Sequence, residues 1–320
     1  MRLRRLAALA ALSLALTACG SGGGSDANAL RIMAPAAPGG GWDQTSRIAE
    51  QAFRSVDQSR KVEVYNVPGA GGSIGLAQLA GEKGNGDLLM TMGLVMVGAL
   101  EQNKSKVTLA DTTPIAKLTE EYEIVVVPAD SPYATLADLV TAWKADPAKI
   151  AIAGGSAGGT DHIVAGLMAK AGGIDPKSVN YIAHSGGGEA LNALLGNKVA
   201  MGISGIGEFA EHVKSGKLRA LGVSSPARLG NVDAPTLKEA GLDVELANWR
   251  GFVAPGGLDD GAKKNLTDLV TKMHDSQAWK DAVTKNGWAD VFQTGQPFAD
   301  FLTAEQTKIK AVIAEMGLVS

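Results

Sequence analysis

Four glycine-rich segments, each placed where an apolar, β-branched run gives way to a helical pattern, constrain this chain more than any other feature. "PGGGWD" (38–43) follows "LRIMAP", "PGAGGSIG" (68–75) follows "KVEVYNV", "GGSAGGTDH" (154–162) closes the run "KIAIAGG", and "SGGGEA" (185–190) follows "VNYIAH". The helical pattern after the first segment carries Ile48, Ala52, Phe53 and Val56, the i, i+4, i+5, i+8 stripe of a helix packed on a sheet. Strand and helix in alternation predict an α/β protein with largely parallel sheets. In such a sheet the four loops lie at the carboxyl ends of the strands, where ligands bind. A glycine there lets backbone N–H groups come close to a ligand, and the helix that follows adds its positive dipole end. One such loop is no more than a tight turn; four from two lobes, converging on one cleft, point to an anion pincer.

Two series of alternation predict two lobes. The first carries helices over 43–58, 73–82 and 94–102; the second, beginning after "EIVVVPADSP", carries helices over 135–145, 160–172, 186–196 and 207–215 and ends at "LRALGVSS". A folded body of about 290 residues also exceeds the usual size of one hydrophobic core. The Pro-bearing segments 125–132 and 249–257 read as the two crossings, with the C-terminal helices returning to the first lobe. This gives residues 30–127 with 249–320 as lobe 1 and 128–248 as lobe 2.

Residues 1–18 read as an export signal: Arg2, Arg4 and Arg5, then a short Ala/Leu-rich run, too short for a bilayer span of about 20 residues. Cys19 follows small residues, as a lipidated cysteine does, and residues 19–29, rich in Gly and Ser, read as a flexible tether from it. Cys19 is the only cysteine, so the chain can form no internal disulfide and no cysteine cluster for a metal. Without the three leader arginines, 27 basic residues face 33 acidic ones, a net charge of −6 that offers no footprint for nucleic acid. No cofactor motif, no metal site and no second span of membrane length is expected; a lipid-anchored monomer outside the cytoplasmic membrane is.

Enzyme readings are weaker. Gly154–Gly158 satisfies G-x-S-x-G between a strand and a helix, which makes Ser156 a candidate hydrolase nucleophile with Asp161 and His162 nearby. That fold takes its histidine late in the chain, and the late candidate, His274, reads as mid-helix, solvated surface. "GAGGSIG" misses G-x-G-x-x-G because Ile74 stands where the third glycine belongs. Asp43 and Glu189 read as acids placed against helix dipoles. Arg250 reads equally as a ligand partner or a hinge brace, and Lys117 and Arg219 as strand-edge charges.

The motifs "IMAPAAPGGGWD", "VPGAGGSIG", "GGSAGGTDH", "NYIAHSGGGEALNALLGNKV", "HVKSGKLRALGVSS", "APTLKEAGLDV" and "WRGFVAP", in this order, resemble the extracytoplasmic solute receptors of tripartite tricarboxylate transporters, the Bug family. The resemblance implies a type II periplasmic-binding-protein fold, two lobes closing on a small di- or tricarboxylate, with two membrane subunits as partners. It implies one carboxylate held by backbone amides and ordered water between Gly39, Gly40, Gly41, Trp42 and Asp43 and the loop Gly69, Ala70, Gly71, Gly72 and Ser73. Ser156, Gly158, Gly159, Thr160 and His162, with Ser185, Gly186 and Gly187, would then select the rest of the ligand from the second lobe. Val67 and Trp42 depart from the residues common in the family, Arg and a small hydroxyl. An orphan sensor feeding a signalling protein is the alternative use of the same receptor.

Overall fold

The computed structural model describes residues 29–184 and 186–318. Ala29–Ala34 (β1) leads into Gly41–Val56 (α1), Lys61–Asn66 (β2) into Ser73–Gly81 (α2), and Leu88–Gly93 (β3) into Leu94–Gln102 (α3). A long strand, Thr112–Pro128 (β4), comes next. The alternation resumes with Leu136–Ala145 (α4), Ile152–Gly154 (β5), Thr160–Ala171 (α5), Tyr181–Ala183 (β6), Gly187–Leu195 (α6), Met201–Gly205 (β7), Ile206–Lys214 (α7) and Leu218–Val223 (β8). Ala247–Pro255 (β9), Asp260–Asp275 (α8), Gln277–Asn286 (α9), Ala289–Thr294 (β10) and Gly295–Glu315 (α10) complete the described chain. The leader, the tether and Cys19 lie outside the described residues.

How the helices begin separates two classes. Thr135, Asp259 and Ser276 cap α4, α8 and α9 by accepting a first-turn backbone N–H in the side chain. By contrast, α1, α2, α3, α5, α6 and α7 begin after Gly40, Gly72, Gly93, Gly159, Gly186 and Gly205, and no side chain caps them; α10, after Thr294, is uncapped too. An uncapped helix leaves its first N–H groups without intrahelical partners.

In the first lobe β1 lies between β2 and β3, parallel to both, and β9 runs antiparallel beside β3. Residues Thr112 to Tyr122 of β4 pair antiparallel with β9, and β10 covers the other side of this stretch. The pairing then switches: from Glu123 onward β4 pairs antiparallel with β7 and β8, while β5 and β6 extend in parallel from β7. One 17-residue strand therefore threads both lobes. The sheets are parallel at their flanks and antiparallel at the crossing, a departure from the parallel expectation that follows from the chain passing between lobes as strands. β4 also starts earlier than "EIVVVP" suggested, and β10 had no counterpart in the sequence reading.

Apolar layers fill both sides of each sheet. Phe53, Phe252, Val270 and Trp279 join α1, α8 and α9 to the outer face of the first sheet, and Ile124, Leu194, Phe209 and Val223 do the same in the second lobe. Each such side chain, fully buried, contributes about 1.5–3 kcal/mol. On α1 the buried face is Ala49, Ala52 and Phe53, whereas Val56, expected on it, is exposed because the helix ends there and turns toward solvent. At the crossing, the wholly buried Ser224 accepts the Glu123 N–H at 2.9 Å and donates to the Leu246 carbonyl at 2.6 Å, tying together three segments that run between the lobes.

Candidate ligand-binding site

The first glycine loop uses its three glycines differently. Gly39 takes φ +84°, and a Cβ there would meet open space, so the left-handed backbone, and not room, requires glycine. Its N–H donates to Asp43 at 2.8 Å, while the Gly40 N–H donates to the Ala37 carbonyl at 3.1 Å. Gly40 itself has φ −71°, which any residue adopts. At Gly41 a Cβ would lie 2.6 Å from the Arg250 guanidinium. Since the Gln44 N–H is the first to close back, onto the Gly40 carbonyl, the amides left at the mouth of α1 belong to Gly41, Trp42 and Asp43. The Asp43 side chain is buried and engaged by Arg47, the Gly39 N–H and Asn66. Burial pushes its carboxyl up, but these donors outweigh it and hold it below the usual range. Its role is to hold the loop.

The second loop runs left-handed through four residues, with φ of +130°, +48°, +59° and +91° at Gly69, Ala70, Gly71 and Gly72. A Cβ at Gly71 would collide with Ala99 of α3, and one at Gly72 would lie 2.8 Å from the Trp42 ring. Trp42, counted among the ligand residues by the resemblance, is 8 % exposed and underlies this loop. The Ser73 hydroxyl donates to the Ala70 carbonyl at 2.9 Å. Val67 packs against the core.

From the second lobe, the loop before α5 is braced from below. The Gly155 N–H donates to Asp161 at 2.6 Å, the Gly158 N–H to His162 Nδ1 at 3.1 Å and the Gly159 N–H to the Ser156 carbonyl at 2.9 Å. His162 stacks on Tyr181 with ring centroids 4.0 Å apart, and the Tyr181 hydroxyl donates to the Gly155 carbonyl at 2.9 Å. Burial lowers the His162 pKa to about 4, so the ring is neutral and carries its proton on Nε2. No hydrogen bond joins Ser156 Oγ to a histidine among the described residues, so nothing in the geometry primes it as a nucleophile. Thr160 is 1 % exposed, and its hydroxyl has no partner. Gly186 and Gly188 face open space, whereas a Cβ at Gly187 would collide with Glu208. Ser185 lies outside the described residues.

The second loop and the second-lobe segments face one cavity of about 430 Å³, walled by Ala70, Gly71 and Gln102 on one side and by Ser156, His184 and Glu189 on the other; the first glycine loop contributes no residue to its wall. The lobes also touch: a Cβ at Gly98 of α3 would strike the Gly158 carbonyl.

Charged residues depart most from the sequence reading. Arg250 is 7 % exposed, pairs with Glu121, approaches Thr45 at 3.5 Å and lies 5.4 Å over the Trp288 ring, which favours the brace. Lys117 is not a simple edge charge: it is buried, paired with Glu120, with its ammonium 3.9 Å over Phe301. Arg219 donates to the carbonyls of Ala129, Ser131 and Tyr133. His274 is neither mid-helix nor solvated: one residue from the end of α8, it is 9 % exposed, stacked on Phe292 and bonded to Asp290 at 3.0 Å. Glu121, Glu123 and Glu208 escaped the sequence reading, although the acidic run "EEYE" (120–123) at the crossing was a visible signal. Burial raises the Glu121 carboxyl despite Arg250, raises Glu123 well above the usual range with Asp161, Glu121 and Glu208 adding to it, and lifts Asp161 to about 7.

Residues 46–318 match the model of the tripartite tricarboxylate transporter family receptor. The chain belongs to this family. Protein BugT of Bordetella pertussis is 27 % identical over 301 residues, covering 91 % of this chain and 90 % of BugT. Among solved structures, MatC from Rhodopseudomonas palustris with bound malate superposes with a TM-score of 0.76 at 22 % identity, covering 90 % of this chain and all of that one. A second R. palustris protein, solved with adipate, gives a TM-score of 0.79 at 19 % identity over 92 % of this chain and 99 % of that one. The fold is thus the two-lobed receptor fold that the motifs implied. No described helix of this receptor is long and apolar enough to cross a membrane.

Asp161 gives this receptor a testable pH dependence. Folded, it keeps a proton up to about pH 7, whereas at its ordinary value of 3.8 it would release it, so between these values its contribution to stability falls as pH rises. His162 opposes this, since its folded pKa of about 4 lies below the ordinary 6.5 and its contribution rises with pH. Subtracting the Asp161→Asn melting temperature from that of the wild type isolates the first effect. The difference should fall between about pH 4 and 7.5 and level off above about pH 8. A difference independent of pH would mean that burial does not hold Asp161 protonated.

Proposed function

We propose that this chain is an extracytoplasmic lipoprotein receptor that captures a small di- or tricarboxylate between its lobes and delivers it to the membrane subunits of a tripartite tricarboxylate transporter. One observation carries the reading: α2, α5 and α6 begin on glycine without side-chain caps beside one cavity walled from both lobes, and the equally uncapped start of α1 adjoins the second loop through Trp42. A carboxylate oxygen at the amides of Gly41, Trp42 and Asp43 would take charge-assisted hydrogen bonds of roughly 1.5–3 kcal/mol each, directly or through one water. The loop from Gly69 to Ser73 closes over the same end, while Ser156, Gly158, Gly159, Thr160, Gly186 and Gly187 meet the rest of the ligand. A ligand touching both lobes stabilises the closed state, and that state is what a membrane partner would recognise. The malate and adipate carried by the two structural neighbours support the carboxylate class.

The lobe boundaries belong to the same proposal: expected at 127/128 and 248/249, they are put at the pairing switch between Tyr122 and Glu123, where bending would occur, and just before Ala247, where β9 begins to pair with β4. So does the anchor: Cys19→Ser should move the receptor from the membrane fraction to the soluble one without changing its affinity, and retention at the wild-type level would contradict it.

Binding is tested by thermal shift with malate, adipate and citrate. A ligand at 100 times its dissociation constant adds about 2.7 kcal/mol to a folded protein that alone binds it. Ala157→Phe adds bulk at an exposed position in the cavity wall. It should weaken the best carboxylate at least about tenfold, or roughly 1.4 kcal/mol, while leaving the ligand-free melting temperature nearly unchanged. No shift with any carboxylate would overturn the proposal.

A further inference from the structure

Helix α3 and the residues just after it separate two cavities. Ala99, Gln102 and Asn103 belong to the wall of the interlobe cavity. Val97, Leu100, Glu101 and Lys104, spaced i, i+3, i+4 and i+7, line a second cavity, also of about 430 Å³. At 3.6 residues per turn these two sets point about half a turn apart, so the cavities lie back to back across α3, and no lining residue is common to both. Gln306, Lys310 and Ala314, one stripe of α10, form the opposite wall of the second cavity, and Ser105 and Thr108 complete it. Its volume is in the range of sites that take small molecules.

The lining residues select the kind of molecule. Val97 is buried and Leu100 half-buried, and with Ala314 they supply an apolar surface. The neutral polar groups already donate within the protein: the Ser105 hydroxyl to the Val107 carbonyl at 2.7 Å, the Thr108 hydroxyl to Asp111 at 3.3 Å and the Gln306 amide to the Leu302 carbonyl at 3.1 Å. What the wall offers a ligand is therefore charge. Among the described residues that line it, Lys104 and Lys310 stand against one acid, Glu101, which leaves one positive charge in excess in a chain that is acidic as a whole. The Lys310 ammonium lies 3.8 Å from the Glu101 carboxylate, longer than a hydrogen bond, so its N–H groups can serve another acceptor. Lys104 takes φ +47°, a left-handed backbone that glycine or asparagine adopts at less cost. The backbone therefore gives no reason for a lysine there, whereas an anion beside it does.

We propose that the cavity between α3 and α10 is a second binding site, for a small aliphatic monocarboxylate. Its carboxylate lies between Lys104 and Lys310, and its chain lies on Val97, Leu100 and Ala314. A single negative charge matches the single positive excess, whereas a phosphate monoester, with close to two charges at neutral pH, goes beyond it. A neutral chain of the same length leaves both ammonium groups unanswered. The site shares no residue with the interlobe cavity, so it stands or falls independently of the transport function proposed above.

The test is calorimetric titration of the purified full-length protein with hexanoate, against hexan-1-ol and hexylammonium, which keep the chain and change the charge, and acetate, which keeps the charge and loses the chain. Hexanoate should bind at least about tenfold more tightly than each of the three. Ala314→Trp fills the cavity from an exposed position and should abolish hexanoate binding. Lys310→Gln, also at an exposed position, should weaken it at least about tenfold. Ala157→Phe, in the wall of the interlobe cavity, should leave it unchanged. Absence of hexanoate binding, or equal binding of hexan-1-ol, would overturn the proposal. So would survival of binding in Ala314→Trp or its loss in Ala157→Phe, either of which would put the acid somewhere other than between α3 and α10.

Discussion

An α-helix that starts on glycine instead of serine, threonine or aspartate leaves its first backbone N–H groups unclaimed, and the cleft depends on that. Around the periphery, Thr135, Asp259 and Ser276 close the starts of their helices with side-chain oxygens, and those helices are finished structures. At the cleft, the starts after Gly40, Gly72, Gly159 and Gly186 carry no such cap. Residues that could have been caps do other work. Asp43 lies inside its helix and holds the loop in front of it, and Asp161 does the same for Gly155. In the function proposed above, a ligand held between the lobes supplies the missing acceptors.

The second constraint is electrostatic and lies at the crossing. Strand β4 carries Glu121 to one side of the switch in pairing and Glu123 to the other, so the crossing itself holds two carboxyls that burial drives toward their protonated forms. Arg250 on β9 pairs with Glu121 and lies against Gly41, linking the hinge to the first loop.

Most of the fold was legible because helix periodicity and glycine punctuation are local. The helices read over 73–82, 94–102 and 160–172 agree with Ser73–Gly81, Leu94–Gln102 and Thr160–Ala171 to within a residue. What failed was non-local. The early half of β4 and the short β10 are strands because they pair with each other and with β9, a partnership that no run of residues announces. The loops could be located but not their backbone angles: glycine composition does not say that Gly39 is left-handed and Gly40 is not. The burial of His274, Lys117 and Glu123 was likewise hidden, since each is a polar residue whose setting is made by segments distant in the chain.

The central claim is that backbone amides at the uncapped helix starts hold the carboxylate, and amide resonances report on it directly. With isotope-labelled glycine in the protein, titration with the carboxylate that gives the largest thermal shift should move the Gly41 signal downfield, as expected when an N–H gains an anionic acceptor. The Gly40 amide, already engaged by the Ala37 carbonyl, should move less. A ligand that saturates the protein while leaving the Gly41 amide unmoved would contradict the account.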